Sequence, residues 1–167
     1  MQTPPAAAAS TPILRMALAA LLAFGLDQFS KVAMLHWLDL GSVLKIPVWP
    51  AYLNFLMAWN RGVNFGFLSH FDGRWLLVVF SIAVSLWLTA WVRHQRGWVL
   101  PLATGAVVGG ALGNALDRVI YGAVVDFLNM SCCGFNNPYS FNIADVLIVV
   151  GMLVIAFGHE RKPVRAQ

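Results

Sequence analysis

Long uncharged stretches separated by short polar knots divide this chain. From about Ile13 to Leu38 the residues are mostly apolar, with an uncharged core from Met16 to Leu26 and two charges, Asp27 and Lys31, one turn apart beyond it. Trp75 to Val92 runs 18 residues without a charge, and Trp98 to Leu116 runs 19. A fourth stretch, about Phe141 to Gly158, carries only Asp145 and ends at His159, Glu160, Arg161 and Lys162. Crossing a hydrocarbon layer takes about 20 helical residues, so each stretch predicts a transmembrane helix. The first is expected to stay uncleaved, because Asp27-Gln28-Phe29-Ser30-Lys31 stands where a secretory leader needs small residues. Between the first two stretches, residues 39–74 alternate apolar and turn residues around Val43-Leu44-Lys45-Ile46-Pro47-Val48 and Tyr52-Leu53-Asn54-Phe55. That pattern predicts short strands with prolines at their edges, forming a small sheet on the outer surface.

Composition agrees with lipid as the main solvent. Hydrophobic residues make up 59% and charged residues 11%, against about 25% charged in ordinary soluble domains. The fold class expected is an all-α integral membrane protein of four transmembrane helices, with a small β-sheet element in the outer loop between helices 1 and 2. Residues 1–12 are expected to be a disordered cytoplasmic N-terminus, 13–158 the membrane domain and 159–167 a basic cytoplasmic tail. The net charge of +4 comes from eleven scattered Lys and Arg, which argues against nucleic acid and for topology. Arg15, the pair Arg93 and Arg96, and Arg161, Lys162 and Arg165 fall on one side of a four-span layout, so both termini are expected inside. Cys132 and Cys133 are adjacent and offer neither a disulfide framework nor metal-ligand spacing.

The acidic residues carry the chemistry. Only seven exist, and Asp27, Asp117 and Asp145 lie in or at the ends of apolar stretches, while Asp126 follows the apolar run Tyr121 to Val125. A charge at the bilayer centre costs roughly 2.5 to 3.5 kcal/mol on insertion scales, so such residues have a partner or a task. With alternating span directions, all four reach the outer rim. Asp27 and Lys31 pair at i, i+4, and Asp117 neighbours Arg118. Asp126 and Asp145 have no basic residue within four positions and remain as candidates for acid–base catalysis on an amide. Gly105, Gly109 and Gly113 form a small-residue stripe that leads to Asp117, with Asn114 and Arg118 on a neighbouring face. The histidines, His36, His70, His94 and His159, all flank the spans, and no HExxH or cysteine-rich spacing occurs, so neither a metal nor another cofactor is expected. A proton-coupled carrier using buried aspartates is the alternative reading, although the second span is almost without polar groups and no inverted repeat is detectable.

Five motifs then carry a resemblance. Asp27-Gln28-Phe29-Ser30-Lys31, Asn60-Arg61-Gly62-Val63-Asn64-Phe65, the run Gly109 to Arg118, Val124-Val125-Asp126-Phe127 and Phe141-Asn142-Ile143-Ala144-Asp145 together resemble the bacterial lipoprotein signal peptidases, also called signal peptidase II. The resemblance implies an inner-membrane aspartyl endopeptidase, active towards the periplasmic face, that cuts before the diacylglyceryl-modified cysteine of prolipoproteins. It implies Asp126 and Asp145 as the catalytic dyad, Asn60, Gly62, Asn114, Arg118 and Asn142 as substrate-binding residues, and Asp27, Lys31 and Asp117 as structural support. Its partners would be prolipoproteins and membrane lipids, with a monomer expected. Asn64, where a small Ala or Ser is more usual, and the unusual connection Ser131 to Asn137 bear on substrate range.

Overall fold

Glycine spacing on the third apolar stretch determines how closely the helices approach. The computed structural model describes residues 7–49, 52–62, 73–132 and 137–158. Helix α1 (Ala7–Val32) continues without a break into a π-helical turn, Ala33–Trp37. A short α2 (Leu40–Val43) and strands β1 (Lys45–Trp49) and β2 (Leu53–Asn60) follow. The chain then forms α3 (Gly73–Val92), α4 (Val99–Tyr121), β3 (Val124–Met130) and α5 (Ile143–Phe157).

Helix α4 is the centre, with α1, α3 and α5 packed around it. A Cβ on Gly105 would meet the Ala19 Cβ at 2.6 Å, one on Gly109 the Ala23 Cβ at 2.7 Å, and one on Gly113 the Asp27 Oδ2 at 2.5 Å. The stripe therefore lets α1 lie against the α4 backbone and ends beside the first buried carboxylate. Gly110 does the same for α5, where a Cβ would stand 2.8 Å from the Ala144 carbonyl oxygen. Such small-residue seams replace the hydrophobic drive that helices lack in lipid. The outward faces are apolar, with Leu18, Leu22, Val79, Phe80, Leu86 and Val149 all exposed. Three described helices, Thr11–Trp37 with its π turn, Gly73–Val92 and Val99–Tyr121, are long and apolar enough to cross a membrane; α5 is a shorter apolar helix.

The sheet differs from expectation in one respect. Its order is β1-β2-β3, antiparallel throughout, so its third strand comes from the connection after α4 and not from the loop between helices 1 and 2. The run Val124-Val125-Asp126-Phe127 lacks polar alternation because nearly every side chain on it is buried. Val125 and Phe127 pack with Leu40 into a small core that Ile46, Phe55 and Ile143 extend. The register jumps from Phe55↔Leu128 to Ala58↔Asp126. A bulge thus sits in β2 beside Asp126, a device that re-aims side chains near sites. Helix α4 also runs past Leu116 to Tyr121, where Gly122 closes it with φ +74°. Asp117 and Arg118 are therefore helical residues. Asn64, Cys133 and the tail 159–167 lie outside the described residues.

The seam generates a paired expectation. Gly109→Ala should lower the unfolding temperature in detergent, an overpacking cost of about 1–3 kcal/mol. Gly25, also in α1 but with nothing within 4 Å of its built Cβ, should accept Ala with no loss or a gain of up to about 1 kcal/mol. Equal shifts for the two variants would refute the close approach of α1 and α4.

Candidate active site

Lys31, 2% exposed, has its ammonium satisfied three times. It donates to Asp27 Oδ2 at 2.7 Å and Asn114 Oδ1 at 3.0 Å, and forms an ion pair with Asp117 Oδ2 at 2.8 Å. The Asp27 pairing matches the i, i+4 spacing. Asp117, by contrast, takes its ion-pair partner, Lys31, from another helix, while its neighbour Arg118 donates through Nη1 to the Asn114 carbonyl at 3.1 Å. Adjacent helical residues point about 100° apart, so sequence neighbours are poor partners. Gln28 bridges the two carboxylates, its Nε2 lying 3.2 Å from Asp27 Oδ2 and 3.0 Å from Asp117 Oδ1.

Both carboxylates also hold backbone. The N–H of Ala144 donates to Asp27 Oδ1 at 3.0 Å, and the N–H of Val125 donates to Asp117 Oδ2 at 3.1 Å. Ala144 directly precedes Asp145, and Val125 directly precedes Asp126. Each candidate catalytic aspartate is thus attached through its own backbone to a carboxylate that Lys31 holds.

Asn142 joins the two candidates. It caps α5: its Oδ1 accepts the Asp145 N–H at 2.9 Å, and its own N–H donates to Asp145 Oδ2 at 3.2 Å, a reciprocal capping box. With Oδ1 so occupied, Nδ2 faces the site and donates to Asp126 Oδ1 at 2.7 Å and Asn114 Oδ1 at 3.1 Å. Asn114, its own oxygen taken by Lys31 and Asn142, donates through Nδ2 to Asp145 Oδ1 at 2.9 Å. Asn60 donates to Asp126 Oδ2 at 3.0 Å, and the Gly62 N–H on its Oδ1 at 2.9 Å fixes that orientation. Gly62 has φ +84°, and a Cβ there would meet Leu77 Cδ1 at 2.6 Å, so a glycine is needed where the chain turns back onto Asn60.

Asp126 is buried on β3, outside the helices, and its carboxyl is pushed up to about 6. Burial is the main cause, and the negative charge of Asp145 adds to it; amide donors from Asn60 and Asn142 and the charge of Lys31 oppose it. Asp145 is half-buried at the third position of α5, in its first turn. Arg118 stands at the edge of the group, its buried Nε without a hydrogen-bond partner among the described residues.

Every residue singled out from the sequence as a site candidate therefore falls in one connected region at the meeting of α1, α4, α5 and the sheet. Gln28 was missed in its bridging role, although its place beside Asp27 in a mostly apolar stretch was the available signal. The backbone contacts of Ala144 and Val125 leave no side-chain signal at all.

The model of the family described as Signal peptidase (SPase) II matches residues 19–159. A lipoprotein signal peptidase of Methylorubrum extorquens (strain PA1) is 41% identical over 155 residues, 91% of this chain and 90% of that relative. One from Caulobacter vibrioides (strain ATCC 19089 / CIP 103742 / CB 15) is 44% identical over 133 residues, 78% of this chain and 77% of that one. Two solved bacterial membrane enzyme structures also superpose. One has a TM-score of 0.72 at 25% identity, over 89% of this chain and 94% of its own; the other scores 0.68 at 27%, over 90% and 94%.

Removing the Lys31 ammonium while leaving two buried carboxylates should cost about 3–5 kcal/mol. We expect Lys31→Ala to melt well below the parent in detergent. Combining it with Asp27→Ala should lose less than the sum of the single losses, by about 0.5–3 kcal/mol, as interacting groups do. Strict additivity would mean that the pair contributes no coupling.

Proposed function

The chain belongs to the signal peptidase II family, and from that premise we propose that it is a membrane aspartic endopeptidase in which Asp126 and Asp145 hydrolyse the peptide bond before the lipid-modified cysteine of a prolipoprotein. The observation that carries the aspartic reading is the shared residue Asn142, which donates to both carboxyl groups through its side chain and backbone. Two carboxyls gathered on one residue in a poorly hydrated site favour a single shared proton. Their environments also separate them. Asp145 accepts the Asn142 N–H and the Asn114 amide in the first turn of α5, and it takes the role of base. Asp126, raised to about 6, suits the proton.

In the reaction that follows, ionised Asp145 takes a proton from water as the water oxygen attacks the scissile carbonyl carbon. Protonated Asp126 hydrogen-bonds the carbonyl oxygen and stabilises the charge that develops there. Collapse of the tetrahedral intermediate breaks the C–N bond, Asp145 delivers its proton to the leaving amine, and Asp126 retains or regains its own. Arg118, with its Nε facing no protein acceptor among the described residues, and Asn60 and Asn114 orient the substrate backbone, while Gly62 gives it room. Affinity comes from lipid: each buried CH₂ is worth about 0.8 kcal/mol, so part of a diacylglyceryl group outweighs several hydrogen bonds.

Four spans with both termini inside fit this reading. Helix α5 has 15 residues, about 22 Å at 1.5 Å per residue, short of the ~30 Å core. Its N-terminus is nonetheless enclosed by protein: Asn142 is fully buried and the Ala144 N–H is held by Asp27. Non-helical backbone is tolerated at membrane depth when protein covers it, so α5 can begin below the outer boundary. The dyad then lies just beneath the periplasmic rim of the inner membrane. Residues 13–158 form this membrane protease domain, flanked by cytoplasmic ends.

Purified protein in detergent should cleave a diacylglyceryl-modified lipobox substrate before its cysteine. Asp126→Asn and Asp145→Asn should each lower turnover at least about a hundredfold while keeping a cooperative melt. Normal turnover by either variant would sink the dyad.

The pH profile tests the division of labour. Burial and the Asp145 charge both favour neutral Asp126, so its proton persists above the usual carboxylate range and is lost as pH rises through about 6. The alkaline limb of kcat/KM, which reports the free enzyme, should centre near that value. The Asn60 amide favours the ionised form, so Asn60→Ala should move the limb to higher pH. Movement to lower pH would assign the proton to the other carboxyl.

A further inference from the structure

We propose that the segment from the π turn at the end of α1 through β1 to Tyr52 is seated in the outer interfacial layer of the bilayer, with Trp37, Trp49 and Tyr52 as its anchors. Within residues 37–52 the side chains of Trp37, Leu38, Val43, Leu44, Val48 and Trp49 are all exposed, Trp37 by 68% and Trp49 by 66%. The charged residues there are Asp39, which accepts the Ser42 hydroxyl, and Lys45. Water is a poor solvent for such a surface.

The occupant follows from continuity. The π turn prolongs the apolar helix Thr11–Trp37, so these side chains emerge where that helix ends. Phe29, exposed on the last turns of α1, meets the Trp37 ring edge-on at 5.3 Å, and Trp49 meets Tyr52 at 5.3 Å. Trp and Tyr favour the headgroup level, where a ring is buried and its polar edge stays wet. Leu44 is the second observation. It holds φ +65° with its side chain 58% exposed, a costly conformation for a branched residue. Its peptide groups are fixed, its N–H on the Leu40 carbonyl and its C=O accepting the Met57 N–H, both at 2.9 Å. The side chain gains nothing from water but is stabilised by lipid. Strand β1 is an edge, and Pro47 at its middle has no N–H to leave unpaired there. The sheet is then fastened to lipid along β1, while β3 at its other edge carries Asp126. Bilayer depth sets the height of that carboxyl.

The test uses full-length protein labelled with 5-fluorotryptophan in phosphatidylcholine–phosphatidylglycerol nanodiscs, with the seven Trp signals assigned by single Trp→Phe variants. Two probes are compared by fluorine NMR: a phosphatidylcholine with a nitroxide near the carboxyl end of one acyl chain, and a water-soluble gadolinium chelate. Trp37 and Trp49 should broaden at least about threefold more with the lipid probe, as an interfacial residue does. A smaller preference, a preference for the chelate, or broadening by neither, as a covering second copy would produce, overturns the proposal. None of these readings depends on whether the chain cleaves a substrate.

Discussion

One buried ammonium holds this molecule's polar region together. Lys31 meets Asp27, Asp117 and Asn114 from a helix that would otherwise have no place for a charge. The desolvation of an ammonium and two carboxylates is repaid only if the geometry is close and the remaining lone pairs are filled. Here they are filled by protein: Gln28 on both carboxylates, Ala144 N–H on Asp27 and Val125 N–H on Asp117. The last two bonds give the network its consequence. They tie the first turn of α5 to α1, and the first residues of β3 to α4, at the positions just ahead of Asp145 and Asp126. Strand and helix are separate elements with no covalent reason to keep their carboxyls in register. A common cation supplies one.

Much of this was legible in the sequence because lipid makes the grammar strict. Runs without charge predicted α3 and the body of α4 within a few residues, and a carboxylate inside such a run had to have a partner or a task. The outer sheet was legible only in part. Val124 to Phe127 shows no strand-like alternation because it is buried on both sides, and period-two alternation appears only where one face meets solvent. Sequence proximity offers Asp117 only its neighbour Arg118, whereas its ion-pair partner Lys31 is 86 residues away across the Gly113 seam. Backbone acceptance by Asp27 and Asp117 is illegible in principle, since any residue at 125 or 144 except proline offers the same N–H.

The three asparagines suit the proposed sharing of one proton between two acids. Each amide is fixed by a bond to its own oxygen: the Gly62 N–H for Asn60, Lys31 and Asn142 for Asn114, and the Asp145 N–H for Asn142. Each therefore has to present its NH₂ to a carboxyl. A lysine or arginine in the same places would pull both carboxyls down and strip the proton that the proposed chemistry needs. A neutral amide orients without doing so. Lys31, already paired with two carboxylates, opposes the upward shift of Asp126 only as the least of the causes named for it.

The two carboxyls then differ because they stand on different kinds of element. A strand has almost no net dipole, so Asp126 on β3 is governed by burial and by its neighbour's charge. A helix start has unpaired N–H groups and a positive end, and Asp145 fills it as part of a capping box. The capping function would be served by any good acceptor at that position, but only an ionisable one can also exchange a proton with water. The residue that completes the helix is in this way the one proposed to start the reaction. In the proposed reaction the carboxyl that accepts the Asn142 N–H is also the one that takes the proton from water, so the helix cap and the chemistry draw on a single side chain.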